Sequence, residues 1–177
     1  DGYTFNLVNG GNRLAIDVNT NSYANTSQAS DHVAHIGAYG LDAYMGNTIN
    51  ALAGKLDITV SVHSNNFHSP ASSVEVQNYA YAITAGDNSV TPGGVIIIGD
   101  DNNIKATATG EQGTSETSRG LTKTEAIGVR VSSSGSNGGS VTMGSNNTFN
   151  VYADSTENQD AYSSHEARVE TTSAAVY

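Results

Sequence analysis

The chain has 177 residues, about one domain's worth, and its 37% hydrophobic and 14% charged residues fall below the roughly 45–50% and 25% of ordinary globular domains. Gly, Asn, Ser and Thr fill 77 positions, which argues against a helical protein, because these residues compete with the helix for turns. A net charge of −10 with seven Lys plus Arg excludes the clustered positive charge that nucleic acid or an anionic membrane requires, and zero Cys excludes a disulfide framework, a zinc–thiolate site and a thiol nucleophile.

In chain order, residues 14–18 alternate apolar and polar positions and lead into a polar stretch, 19–30. Residues 39–43 form a second strand-like segment. Residues 56–62 follow, with Ile58, Val60 and Val62 at the period of two expected of a half-buried strand, and another polar stretch occupies 63–73. Residues 81–85 read as strand. Gly93-Gly94 precedes the longest apolar run, Val95-Ile96-Ile97-Ile98, far short of the ~20 residues that span a bilayer. Strand-like segments then recur at 104–108, 127–131, 141–143, 149–153 and 174–177, with polar stretches at 110–120 and 154–164. The four polar stretches follow corresponding strands and are expected to be loops projecting from one face. The chain starts at Asp1 without Met and stops inside a strand-like pattern, so an excerpt or a processed product is expected.

These segments repeat. Residues 93–106 recur as 138–151 at an offset of 45 without a gap, so that Ile96 meets Val141, Ile98 meets Met143 and Ile104 meets Phe149. The polar stretches begin near Asn19, His63, Gly110 and Asp154, spaced by 44, 47 and 44. Four degenerate copies of about 45 residues predict a parallel β-solenoid (a β-helix) over 1–177, either a single domain or an excerpt of a longer solenoid. Three strands of ~5 residues and three short turns make a coil of ~21–30 residues, so each copy is expected to supply two coils. In that geometry Asn102 and Asn147 would not share adjacent rungs. The alternative is an antiparallel β-sandwich. Leu56, Ile58, Val60, Ile96, Ile98, Ile104, Val129, Val131, Val141, Met143, Phe149 and Val151 are expected to point inward.

The motif Gly-Gly-x-Ile/Val-x-Ile/Met-Gly-x-Asx-Asn, in Gly93–Asn102 and Gly138–Asn147, resembles the repeat style of passenger regions of bacterial autotransporter adhesins. So do the alternation of strand with Ser/Thr/Asn-rich stretch and the acidic, Cys-free, Pro-poor composition. The resemblance implies a parallel β-helical stalk displayed outside the bacterial cell, secreted and extracellular. Its expected role is structural and adhesive, without catalytic activity, cofactor or metal. Implied partners are host or bacterial surface glycans or proteins, with no nucleic acid and no membrane insertion of this segment. Two alternatives stand beside it: a self-assembling subunit of an extracellular filament, forming a homo-oligomer end to end, and a polysaccharide-binding or -cleaving β-helix.

His32, His35, His63 and His68 lie close in sequence, but positions i and i+3 of a strand face opposite ways, which separates His32 from His35 and predicts no metal site. Asp100-Asp101-Asn102-Asn103 carries oxygen ligands but reads as a solvated turn, since Ser145 and Asn146 stand at the corresponding positions of the next copy. The carboxylates Glu111, Glu116, Asp154, Glu157 and Asp160 are scattered, and Arg13, Arg119, Arg130 and Arg168 share no local context, so no catalytic residue is assigned. Tyr79 and Tyr81 share a strand face and Tyr39 aligns with Tyr81, which suits rings stacked between coils or a glycan-stacking stripe. The binding candidates are Tyr23, Phe67, Tyr79, Tyr81 and Tyr162, because aromatics give large contact area in few side chains.

Overall fold

A computed structural model describes residues 3–7, 13–26, 32–68, 74–86, 93–114, 120–132, 138–159 and 168–176, and these are all-β, with no helix among them. The strands are β1 (Thr4–Asn6), β2 (Arg13–Thr26), β3 (His32–Tyr44), β4 (Thr48–Ala51), β5 (Lys55–His68), β6 (Val74–Gly86), β7 (Val95–Ile98), β8 (Asn103–Thr114), β9 (Gly120–Val131), β10 (Ser140–Met143), β11 (Thr148–Gln159) and β12 (Arg168–Val176). They form three four-stranded sheets: a short one, β1-β4-β7-β10, and two long ones, β2-β5-β8-β11 and β3-β6-β9-β12. Every pairing among the described residues is parallel, and each of β1 to β9 pairs with the element three later in the chain. An antiparallel sandwich is thereby excluded for these residues.

The register reproduces the 45-residue offset. Ile96 faces Val141, Ile98 faces Met143, Ile104 faces Phe149 and Ala106 faces Val151. The number of coils per period does not follow the expectation. One period supplies one strand to each of the three sheets, because the strands of the two long sheets run 9 to 14 residues rather than about five.

The extra length comes from segments expected to be loops. Strands β2, β5, β8 and β11 continue through the first part of each polar stretch, to Thr26, His68, Thr114 and Gln159. Residues 27–30, 69–73, 115–119 and 160–164 of those stretches lie outside the described residues. Small polar residues signal a turn when read alone, but here their backbone pairs in register with the next strand, and some side chains bond across it. His63 Nδ1 lies 2.9 Å from Thr109 Oγ1, and Asn65 Nδ2 donates to Glu111 Oε2 at 3.3 Å.

The core lies between the three sheets. Leu56, Ile58, Val60, Ile96, Ile98, Ile104 and Val129 are buried as expected. Val141, Met143, Phe149 and Val151 are half-buried, since β10 and β11 are outermost in their sheets. Val131 departs from the expectation: it is 37% exposed at the last residue of β9, although its register partner Ala85 is fully buried. Part of the interior between the two long sheets is polar. Asn78 Nδ2 donates to Thr124 Oγ1 at 3.3 Å, and Ser155 Oγ lies 2.6 Å from the same oxygen, with Asn78 and Thr124 fully buried.

The corners explain the sequence motif. Asn102 and Asn147 do lie side by side, at the starts of the paired strands β8 and β11, contrary to expectation. The Nδ2 of each donates to a carbonyl three residues back, Gly99 O at 2.8 Å and Gly144 O at 2.9 Å. Asn147 Oδ1 accepts from Asn102 N and Nδ2, and Asn102 Oδ1 accepts from Leu56 N at 2.7 Å. Asp101 and Asn146 sit beside them at φ 57° and 58°, a conformation that Asn and Asp tolerate. The Gly-Gly pairs serve close approach. A Cβ on Gly94 would strike the Ala43 carbonyl, and one on Gly139 the Ala85 carbonyl.

Candidate functional site

Strands β3, β6, β9 and β12 share a local irregularity. Their ladder skips Gly40, Ala82, Gly128 and Ala175, one residue per strand. The inside–outside phase inverts there. In β3, Ala38 is buried before the skip and Leu41 and Ala43 after it, which turns Tyr39 and then Asp42 outward. The same step in β6 places Tyr79 and Tyr81 on the outer face before the skip, and in β9 it places Arg130 on that face after it. Strict alternation would have sent Arg130 inward.

The outcome is an open cleft of about 310 Å³ on the outer face of this sheet, lined by Tyr39, Tyr79, Tyr81, Lys123, Glu125 and Arg130. Three tyrosine rings from two strands meet. Tyr39 stands edge-on to Tyr81 with centroids 5.5 Å apart, and Tyr79 is tilted against Tyr81 at the same distance. His35 stacks on Tyr79, with centroids 6.2 Å apart and rings 16° from parallel. Tyr81 is buried at 2% exposure and Tyr39 is 44% exposed, so the cluster runs from an anchored ring to an open one. The aromatic stripe is therefore external, with rings that also stack between neighbouring strands.

The polar groups are organised around Glu125. Its Oε1 pairs with Lys123 Nζ at 2.7 Å, and its Oε2 accepts the Tyr81 hydroxyl at 2.6 Å. Burial raises the Glu125 pKa, but the hydrogen bonds from Lys123 and Tyr81, with the charges of Lys123 and Arg130, outweigh it and hold the carboxyl below its ordinary value. Burial first, and then the bond to Glu125, push the Tyr81 hydroxyl well above its usual range, so it stays a protonated donor. The guanidinium carbon of Arg130 lies 4.9 Å from the Tyr81 ring centroid. Among the described residues no carboxylate comes within ion-pair distance of Arg130. Its register partner Thr84 is 7% exposed, and the Thr84 hydroxyl has no hydrogen-bond partner among the described residues.

Of the five binding candidates, Tyr79 and Tyr81 are brought together here. Tyr162 lies outside the described residues. Tyr23 and Phe67 lie in β2 and β5, on a different sheet from the cleft, and their side chains lie outside what is described. Lys123, Glu125 and Arg130 were not singled out as binding residues from sequence. A signal for them existed: aligning residues 127–131 with 81–85 already sets Arg130 beside Thr84, three positions beyond Tyr81.

The remaining constellations stay dispersed. No group of three or more His, Asp or Glu among the described residues is arranged to hold a metal ion. Asp101 pairs with Lys55 at 3.2 Å, and Asp100 accepts the backbone N–H of Ser145, so both carboxylates of that turn act as structural acceptors. No helix among the described residues is long and apolar enough to cross a membrane. No protein-family model matches the chain, and no curated protein or solved structure is significantly similar to it.

Proposed function

We propose that the chain is a closed parallel β-solenoid of four rungs, about 45 residues each, and a non-catalytic structural and adhesive segment of a bacterial surface protein. The observation that carries this reading is the strand pairing. Three parallel sheets in which each of β1 to β9 pairs with the element three later describe a chain winding repeatedly through the same three faces. Such a stack presents a rigid lateral surface in which each rung contacts mainly its neighbours, the mechanical character of a stalk. The outer-face cleft supports contact as its role. Cleavage of a polysaccharide would call for two carboxylates flanking the bond, and the described lining of the cleft contains one, Glu125, engaged by Lys123 and Tyr81. The resemblance to autotransporter passengers supports an extracellular, cell-surface location, with host or bacterial surface glycans or proteins as partners.

The test couples shape with adhesion. Small-angle scattering from the purified chain is expected to fit a prism of stacked rungs. Beads carrying the chain are expected to adhere to bacterial or host cell surfaces, and pre-treatment of those surfaces with glycosidases or protease identifies the partner class. A scattering curve matching an expanded coil removes the solenoid, and beads that behave like blank beads remove the adhesive role.

The filament reading is favoured by one observation. The outermost strands β1–β3 and β10–β12 have one backbone edge unpaired among the described residues, and the outermost strand β11 carries half-buried Phe149, Val151 and Ala153. Open parallel edges above a partly covered core are templates for a further rung.

A further inference from the structure

We propose that the Tyr39–Tyr79–Tyr81 cleft binds an acidic saccharide, a sugar bearing a carboxylate or sulfate, with Arg130 as the anion-binding group and the exposed Tyr39 ring, packed edge-on against buried Tyr81, as the stacking surface. This deepens the adhesive reading and rests on it. Three features of the cleft select this chemistry.

The first is charge. The chain as a whole carries −10, which by itself would repel an anion. At physiological salt, however, the screening length is about 8 Å, so groups within the cleft outweigh those across the molecule. Inside it, Glu125 is engaged by Lys123 and Tyr81, and no carboxylate among the described residues comes within ion-pair distance of Arg130. Asp42 stands in the same register row as Arg130 but two strands away, about 9.6 Å at ~4.8 Å per strand. A planar guanidinium held over a ring is suited to bidentate recognition of an oxyanion, which a point-charge ammonium does not reproduce.

The second is shape. A cleft of about 310 Å³ is at the small end of ligand pockets, which span ~300–1,000 Å³, so it accepts a compact group rather than a protein surface. Its walls are ring faces and edges at several angles, from the 44% exposed Tyr39 inward. Apolar faces of a sugar ring pack on such walls while its hydroxyls meet polar groups at the rim.

The third is preorganisation. Tyr81, against which Tyr39 packs, is fixed by its hydrogen bond to Glu125 and by the Arg130 contact, so the exposed ring rests on a rigid support before a ligand arrives. Little ordering entropy then opposes binding. The buried Thr84 hydroxyl beside Arg130 in register is a polar group still without a partner among the described residues.

The experiment is calorimetric titration of the full chain with three disaccharide probes of one backbone: glucuronate-containing, sulfated and neutral. The acidic probes are expected to bind at least about ten-fold more tightly than the neutral one, with affinity falling as salt is raised. Whichever acidic probe binds better distinguishes carboxylate from sulfate. Arg130→Gln is expected to abolish the preference between acidic and neutral probes, whereas Tyr39→Ala weakens all three. Tyr152→Ala, exposed on another sheet, serves as the control that changes nothing. Should Arg130→Gln unfold, as read by circular dichroism, Arg130→Lys keeps the charge and is expected to retain only part of the preference. Equal affinity for all three probes, or no binding at millimolar concentrations, overturns the proposal. The scattering curve of the same sample separates that result from a failure of the solenoid itself.

Discussion

Single side chains carry unequal weight in this molecule, and the corner asparagines show why. Asn102 is 2% exposed, and its Oδ1 is the acceptor for the buried Leu56 N–H at 2.7 Å. Asn102→Ala leaves that donor and the Gly99 carbonyl without a partner, and each buried unsatisfied group costs about 1–3 kcal/mol. The expected loss is about 2–4 kcal/mol in urea denaturation. Asn147→Ala, beside the outermost strand β11, is expected to cost clearly less. Glu125 sets the pH response. Its folded pKa lies below the ordinary 4.5, so its contribution is fully present above 4.5 and is lost as pH falls through the lower folded value. Glu125→Gln is expected to remove that part of the acid sensitivity and to cost about 1–2 kcal/mol near neutral pH, given a partly solvated pair. A stability–pH profile identical to the parent's would show that the Lys123–Glu125–Tyr81 arrangement contributes nothing.

At the scale of one element, the decisive matter is where the long strands end. From sequence this strand is expected to end at Ala108, with a loop from 110; in the structure Thr109 lies within β8, paired with His63 on one side and Asp154 on the other. Proline has no N–H for the ladder and suits only edges and bulges. Thr109→Pro is therefore expected to destabilise by about 3 kcal/mol or more in thermal or urea melts, where a flexible loop would tolerate it. Apolar packing in the short sheet is tested by Ile98→Ala. Ile98 is fully buried between Ala51 and Met143, and its truncation is expected to cost about 2–5 kcal/mol. Tyr152→Ala, at 52% exposure, is expected to stay within about 0.5 kcal/mol.

For the whole molecule, parallel stacking makes cooperativity a matter of neighbours. The inner strands of each sheet are paired on both sides, so hydrogen exchange is expected to be slowest in β4–β9 and faster in β1–β3 and β10–β12. Uniform protection would contradict a stability that comes from adjacent strands. The unpaired edges of the outermost strands also predict that the weight-average mass in sedimentation rises with concentration. A constant monomer mass would remove the filament reading and leave the stalk.

The sequence by itself determined the strand character, the 45-residue register and most of the core. Those are encoded locally, in period-two alternation at Ile58, Val60 and Val62 and in the recurrence of 93–106 at 138–151. Tertiary structure decided three things that local pattern does not contain. Residues 19–26 and 63–68 became strand because their backbones pair in parallel register with a neighbouring strand, which the polar side chains, read alone, do not announce. Asn102 met Asn147 because one 45-residue period supplies one strand to each sheet. The outer cleft formed because one residue per strand, from Gly40 to Ala175, leaves the ladder and inverts the face that follows. That inversion puts Arg130 over Tyr81, and it depends on backbone pairing across four strands, which no single segment of the chain specifies.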